Sequence, residues 1–390
     1  MNHAVNVPES QWKPRARELA AAIAEQTDLS RAWRTAFEET PRHVFVPAYY
    51  DDEDHLVDGS DEAMREQWLE AVYSDTSLVT QTIALPAVDL AWPASSSTRP
   101  SLMARMLELL DVDTNVRILE IGAGTGYNAA LLSHRLGDGN VFSIDIDPAL
   151  VDAARQRLAR LGRNPTPAAG DGAEGMPLTA PYTHIIGTCA VDSIPPAWIA
   201  QLADNGVIVA DIRGELVSTL VKLRKTSDYE VTGKLLPQPG HFMWLRPTAD
   251  NPLRYGENCD SVLDMTNPAT TTGRIPLAAF FDEPSFRLLL QHAAPDIQPI
   301  GATLPDNTQG AFLTTTNGAW AAAGPTQNSA DAYPVQHGGP GTLWTSVETA
   351  WNTWNRLGQP AVDRFGITAT ISGEQHLWLD TSDNKIQLSA

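Results

Sequence analysis

Three glycines at alternate positions, Gly122, Gly124 and Gly126, follow the short apolar run Val116–Ile121. The run reads as a buried parallel strand, and Asn128–Leu136 beyond the glycines reads as a helix. A strand that breaks through glycines into a helix makes a cradle for a ligand. Glycine allows close backbone approach and positive φ, and the start of the helix presents free N–H groups. A nucleotide is the first ligand class to consider, although a bare glycine motif also fits a tight turn with nothing bound. Three details sharpen the reading. Glu120 stands two residues before the first glycine, and the spacing is GxGxG rather than GxGxxG. Asp145 ends the next strand, Val141–Asp145, 19 residues after Gly126. A carboxylate there can accept hydrogen bonds from both hydroxyls of a ribose. After a third short strand, Asp171 of Gly170-Asp171-Gly172 can meet an adenine amino group.

The elements that must position these groups follow in βα order. Asp147-Pro148 starts a helix with a cap residue and a proline in its first turn. Leu150, Ala154, Leu158 and Leu161 repeat at helical spacing, and Gly162 suits the stop. Tyr182–Ala190 is the fourth strand, Ile194–Leu202 a short helix and Val207–Asp211 the fifth strand. Leu216–Leu223 and Tyr229–Leu236 form a terminal strand pair. Upstream, Arg15–Gln26 and the stretch from Ser30 to Phe37 read as helices. Asp51–Glu70 is acidic and reads as a solvated loop and surface helix, and an irregular piece with Pro86 and Pro93 comes later. Ser95-Ser96-Ser97-Thr98 then leads through Arg99-Pro100 into an amphipathic helix, Leu102–Leu110; the plain account of these hydroxyls is a cluster of N-caps. Past residue 247 the texture changes. Asn251-Pro252, Asn267-Pro268 and Thr270–Thr272 mark a linker or loop. Beyond them lie strand-like pieces and one helix, Thr345–Leu357, whose Trp351 and Trp354 suit a core stripe.

Composition narrows the function classes. A formal charge of −20 and a pI near 4.7 argue against a nucleic-acid partner, which usually meets a basic footprint. Two cysteines, Cys189 and Cys259, are too few for a disulfide framework or a cysteine-rich metal site, and Cys189 suits a core strand. No run approaches the ~18 apolar residues of a membrane span, and the first residues lack a signal-peptide pattern. A cytoplasmic enzyme without a membrane partner is expected. His43, between apolar residues, and His184, at a strand start, read as structural.

The glycine turn with Asp145 and Asp171 resembles the class I S-adenosylmethionine-dependent methyltransferases. Residues about 30 to 240 resemble, more narrowly, the protein-L-isoaspartate (D-aspartate) O-methyltransferase family. TPRHVFVP is similar to its PRxxFVP block, and YSDTSLVT loosely to its AYxDxPLPI segment. SSSTRP with the following helix is similar to its TISxP block, and VRILEIGAGTGYNAALL to its cofactor turn. The resemblance implies an α/β fold, a class I doubly wound sheet with an N-terminal helical part; the strand-like pieces and helix past 247 read as a smaller C-terminal α+β domain. The chain is expected to divide into an N-terminal helical, substrate-facing segment (1–100), a cofactor-binding core (101–247) and a C-terminal accessory domain for peptide recognition (248–390). The resemblance implies S-adenosylmethionine as cofactor, S-adenosylhomocysteine as product, and no metal. Glu120, Gly122, Ala123, Gly124, Thr125, Tyr127, Asn128, Asp145, Ile146, Gly170, Asp171, Gly172 and Thr188 would hold the cofactor. Thr98, at the position before x-Pro where the family usually has serine, would be the catalytic hydroxyl, with Ser96 and Ser97 beside it.

Three departures from the plain repair pattern stand out: Thr98 itself, an insertion after Phe45-Val46-Pro47, and more than 120 residues beyond the core. They resemble relatives that tailor lanthipeptides, graspetides and lasso peptides. The preferred expectation is therefore methylation of an ordinary aspartate in a cyclised precursor peptide, the ester closing to an aspartimide. Repair of L-isoaspartyl residues is the alternative. A peptide-binding module that kept the fold without catalysis is a rival that the intact cofactor residues oppose, and a small-molecule methyltransferase is one that the TISxP-like block opposes. Oligomeric state is not legible.

Overall fold

The computed structural model describes residues 5–85, 90–113, 115–249, 265, 267–303, 309–324, 332–341 and 343–387. Four helices and a small sheet come first: α1 (Glu9–Gln26), α2 (Arg31–Glu39), α3 (Arg42–Phe45), β1 (Ala48–Tyr50), β2 (Leu56–Asp58), α4 (Arg65–Val72), β3 (Leu78–Leu85) and β4 (Leu90–Ser97). The βα series follows: α5 (Pro100–Leu109), β5 (Ile118–Ile121), α6 (Tyr127–Leu136), β6 (Val141–Asp145), α7 (Pro148–Arg160), β7 (Thr166–Ala169), β8 (Tyr182–Val191), α8 (Pro196–Gln201) and β9 (Leu202–Arg213). Then come β10 (Ser218–Ser227), β11 (Glu230–Leu235), β12 (Ala269–Gly273), α9 (Ala279–Asp282), α10 (Pro284–Ala293), β13 (Ile297–Thr303), β14 (Gln309–Thr315), β15 (Trp320–Ala323), β16 (Tyr333–Gly338), α11 (Leu343–Arg356), β17 (Phe365–Thr370) and β18 (Gln375–Leu379).

The central sheet has nine strands in the order β18-β17-β11-β10-β9-β8-β5-β6-β7. The five from β9 to β7 are parallel, and the other four continue as an antiparallel meander. Successive residues of a strand face opposite sides. Accordingly Leu119, Ile185 and Ile208 join one buried cluster, while Ile118, Ile186, Val207 and Val209 join the other. The second cluster takes in Trp12, Ile23, Phe37, Leu107 and Leu131 from the N-terminal helices and α5–α6. Both faces are covered, as in a doubly wound α/β fold.

Several expectations change. The first hundred residues are not simply helical. They hold the four-stranded sheet β2-β1-β3-β4, and α4 buries Trp68, Leu69 and Val72. Pro93 lies within β4; that strand is the sheet's edge, where a missing N–H is tolerated. Thr270–Thr272 lie in β12, paired with β16, because β-branched residues fit a strand. Asn251-Pro252 and Cys259 fall outside the described residues.

The boundary at 247/248 does not separate two cores. β17 pairs with β11 over five residue pairs and so completes the central sheet. Phe286, Leu289, Val347 and Trp354 belong to the same buried cluster as Leu119 and Trp198. The rest of this region is an antiparallel sheet, β12-β16-β15-β14-β13. Its tryptophans are interior: Trp320, Trp344, Trp354 and Trp378 are buried and Trp351 is half-buried.

A chain ending at Pro247 would lose Phe365, Ile367, Ala369, Leu377 and Leu379, all buried against the core. Each large apolar side chain contributes about 1.5–3 kcal/mol, and a domain's net stability is about 5–15 kcal/mol. Truncation after Pro247 is therefore expected to yield no cooperatively folding product. A sharp urea transition for the truncated chain, followed by circular dichroism, would contradict this.

Candidate active site

The cofactor turn and the hydroxyl strand share one cavity of about 270 Å³. Most of its wall comes from 93–98 of β4 and its end, the β5–α6 and β6 ends, and the strip 240–246, with further residues from the start of β3, α5, α7, the loop after β7 and β8. Ser96, Ser97 and Thr98 all line it, as do Glu120, Gly122, Ala123, Gly124, Thr125, Tyr127, Asn128, Asp145, Ile146, Gly172 and Thr188. Gly170 and Asp171 do not. The Gly170 N–H donates to the Asp145 carbonyl at 2.9 Å, and Asp171 Oδ1 accepts from the Ala173 N–H at 2.8 Å, inside its own loop.

The glycine turn has φ of +95°, +49° and +88° at Gly122, Gly124 and Gly126, which a side chain would strain. A Cβ on Gly124 would stand 3.6 Å from Ser95 Oγ and 3.7 Å from the Ser96 carbonyl, so the turn lies against β4. At Gly172 a Cβ would meet Ile121 and Leu245 at 2.6 and 2.8 Å. Only glycine lets that loop pass between β5 and the strip.

Asp145 accepts from the Gly124 N–H at 2.8 Å through Oδ2 and from the Asp147 N–H at 3.1 Å through Oδ1. Burial pushes its pKa up, and those two N–H groups and Arg246 oppose the shift. Each oxygen keeps a free lone pair for a ribose hydroxyl. Glu120 is fully buried. It accepts from Asn128 Nδ2 at 2.7 Å and from the Ser143 hydroxyl at 2.5 Å. Burial raises it to about 7. Asn128 lines the cavity, but its Oδ1 is closed to solvent and has no partner among the described residues. Thr188 hydroxyl donates to the carbonyls of Ile121 and Gly122, so it shapes the turn. An acidic group with spare lone pairs beside an open glycine turn fits a nucleoside, whose ribose hydroxyls are donors.

The hydroxyls are not helix caps. α5 has no side-chain cap, and the Ser101 N–H goes to Asp75 Oδ1 at 2.7 Å. What fixes the hydroxyl strand is Arg42, fully buried on α3. Its Nη1 donates to the carbonyls of Val72 and Ser74, both at 3.0 Å. Its Nη2 donates to those of Thr76, Ser97 and Thr98 at 3.0–3.2 Å. Nε and Nη2 also reach Ser97 Oγ at 3.2 Å. Ser97 thus serves Arg42, while the half-buried Thr98 has a hydroxyl with no partner among the described residues. Burial lowers the Arg42 pKa to about 10, which leaves it charged at neutral pH. His43, its neighbour, is structural: Nδ1 meets the Tyr73 hydroxyl at 2.7 Å, and burial holds its pKa down to about 4.

The strip 240–246 was not legible as part of the site. Ser218 Oγ accepts from the N–H groups of Gly240 and His241 and donates to Asp211. The other Asp211 oxygen takes the Phe242 N–H at 3.0 Å. Arg213 donates to the Phe242 carbonyl. Arg246 then reaches across the cavity to the Ala94 carbonyl at 3.1 Å. The apolar strand ending at Asp211 was the only local signal.

Among known proteins, the family model described as Protein-L-isoaspartate(D-aspartate) O-methyltransferase matches residues 18–239, more than half of the chain. The chain belongs to this family of S-adenosylmethionine-dependent methyltransferases. A protein-L-isoaspartate O-methyltransferase of Thermotoga maritima is 37% identical over 165 residues, 42% of this chain and 52% of its own. One from Methanococcoides burtonii is 33% identical over 206 residues, 52% of this chain and 85% of its own. A solved protein-L-isoaspartate O-methyltransferase aligns with 94% of this chain and all of its own, at a TM-score of 0.56 and 22% identity. That last likeness is one of fold, and it extends past residue 247.

Two predictions follow from the buried groups. Replacing Arg42 by Lys leaves several carbonyls bare, and each lost charged hydrogen bond costs about 1.5–3 kcal/mol. R42K should lose stability in urea by at least one such increment. Glu120 titrates near 7 in the folded chain against 4.5 as a free side chain. Its folded value is raised, so its contribution is intact below 4.5 and is lost as pH rises through 7. In Glu120→Gln, Asn128 can still donate to the amide oxygen and the Ser143 hydroxyl can accept from its nitrogen. Between pH 5 and 8.5 the parent should lose roughly 3 kcal/mol relative to this variant. Parallel denaturation curves at the two pH values would refute that.

Proposed function

We propose that this chain transfers a methyl group from S-adenosylmethionine to the side-chain carboxylate of an aspartyl-type residue in a peptide or protein. The observation that carries the reading is Thr98. Its unpartnered hydroxyl lines the same cavity as the glycine turn and Asp145. S-adenosylmethionine supplies an electrophilic methyl when bound. Gly122–Asn128 and Asp145 would hold it. The acceptor carboxylate is already ionised at neutral pH, so no strong base is needed. The chain's contribution is proximity and alignment. Thr98 donates a hydrogen bond to one carboxylate oxygen and leaves the other aimed at the methyl. Ser96, also half-buried on the wall, is the second candidate donor. The methyl ester is then displaced by the next backbone nitrogen, which releases methanol and closes a succinimide.

Two substrates fit this chemistry. The relatives support an L-isoaspartyl residue, since each of those described above is named for it. The second is an ordinary aspartate in a cyclised ribosomal peptide such as a lanthipeptide, graspetide or lasso peptide. Thr98 in place of serine and the added β1, β2 and α4 support it. The residues past 247 support it less, because the fold of a protein-L-isoaspartate O-methyltransferase aligns over them too.

Thr98→Val removes the donor and keeps the shape. Its turnover should fall by roughly 10²–10³, as when an oxyanion donor is removed, with cofactor affinity unchanged. Thr98→Ser should retain most activity. Full activity in Thr98→Val would move the role to Ser96. Mass spectrometry of a linear isoaspartyl peptide beside a cyclised aspartyl peptide separates the substrates. Methyl gain followed by methanol loss in the ring alone supports tailoring; turnover of the linear peptide alone supports repair.

A further inference from the structure

The β3–β4 hairpin walls one side of the methyl-transfer cavity. Its base is held at Ser97 by Arg42, and β1 meets β3 at Val79. Farther out, two side chains fasten it to the cofactor side. Gln81 Nε2 donates to Asp147 Oδ2 at 2.8 Å. The Asp147 N–H in turn donates to Asp145 Oδ1 at 3.1 Å, so this tie sits beside the carboxylate that suits a ribose. From the facing strip, Arg246 Nη2 donates to the Ala94 carbonyl at 3.1 Å, and the charge of Arg246 favours the ionised form of Asp145. Both ties land where the pairing of the hairpin is broken. Its register shifts between Val79 and Gln81, and again between Gln81 and Thr82, whose partners Ser95 and Pro93 leave Ala94 unmatched. Such bulges bend a strand and are common next to active sites.

The closed position is not fully satisfied. Gln81 Oε1 is shut off from solvent and has no partner among the described residues, a costly arrangement that swinging out into water relieves. Gln81, Asp147 and Arg246 are each half-buried, so water can replace either tie. The cavity beneath measures about 270 Å³, below the roughly 300–1,000 Å³ of pockets that take small ligands. A cofactor with a peptide carboxylate beside it needs more room than that. We propose that the β3–β4 hairpin is a flap over the cofactor, bending at its two bulges, and that Gln81–Asp147 and Arg246–Ala94 are the clasp that opens for cofactor entry and product release. The inference rests on the reading of this cavity as the S-adenosylmethionine site. Gln81 and Arg246 are positioning residues: they act by setting where the hairpin stands.

Stopped-flow fluorescence of the full chain with S-adenosylhomocysteine tests it, Trp244 on the cavity wall serving as reporter. Gln81→Ala and Arg246→Met each weaken the clasp in the empty and in the loaded protein. Association and dissociation should therefore both quicken, each by about tenfold for a lost charged hydrogen bond, while Kd moves less than either rate. A side chain that only touched the ligand would raise the dissociation rate alone, and that result, or two unchanged rates, overturns the proposal. Hydrogen exchange on the unchanged protein holds even if the variants fail to fold. Saturation with S-adenosylhomocysteine should slow exchange in 78–85 and 90–97, and equal exchange with and without it overturns the flap. Absence of any S-adenosylhomocysteine binding by calorimetry would overturn the reading of the cavity and the flap with it; binding with unchanged rates and exchange overturns the flap alone.

Discussion

The site depends first on one buried cation. Arg42 is withdrawn from water, and it has no ion pair among the described residues. Its charge is met by backbone carbonyls from two segments, residues 72–76 and 97–98. Desolvating a guanidinium costs several kcal/mol, and only a complete set of acceptors offsets that. The fork of donors therefore dictates where those carbonyls stand. With the Ser97 and Thr98 carbonyls drawn to Arg42, the strand end that carries the hydroxyls is fixed before any substrate arrives.

The other two walls use the same device with the opposite charge. Glu120 orients Asn128 and Ser143 beneath the glycine turn. Asp211, with Ser218, gathers the N–H groups of Gly240, His241 and Phe242 and so sets the strip. Burial raises the pKa of both acids. Each pays for its burial with a filled hydrogen-bond shell. Polar networks of this kind rigidify when they are satisfied. A methyl transfer that relies on alignment rather than on acid–base chemistry has need of rigid walls.

These devices explain what the sequence disclosed. The glycine turn, Asp145 and the βα series rest on local patterns: periodicity, glycine spacing, and a proline and an acidic cap at the head of α7. Arg42 has no such signature, since an arginine near a charged stretch reads as solvated and His43 beside it looks the more chemical. The strip 240–246 has no period, because it is tied down by side chains of β9 and β10 and by one backbone bridge to Ala190 rather than by a full ladder. β17 joins β11 from some 130 residues away, and a non-local pairing leaves no trace in either strand. The hydroxyls of 95–98 were legible as a cluster but not in their roles. Which one is spent depends on Arg42, which lies 55 residues upstream of Ser97.

The fold also relocates the question of peptide choice. The last 140 residues were expected to form a recognition domain, yet four of their five tryptophans are interior, and Trp344 and Trp354 belong to a cluster continuous with the core. Trp344 and Trp354 tie the extension to the core, and rings buried in this way cannot anchor a partner. The large exposed aromatic next to the catalytic wall is instead Trp92, 42% exposed, two residues before Ala94 on β4. β4 is an edge strand and runs directly into Ser96 and Thr98. A residue positioned on that strand is set by the same Arg42 network that sets the hydroxyls. Under the proposed function, a peptide seated along β4 would meet Trp92 and the hydroxyls on one piece of backbone, so a change at the N-terminal hairpin should alter peptide choice and alignment together, whereas a change in the C-terminal region acts first on stability.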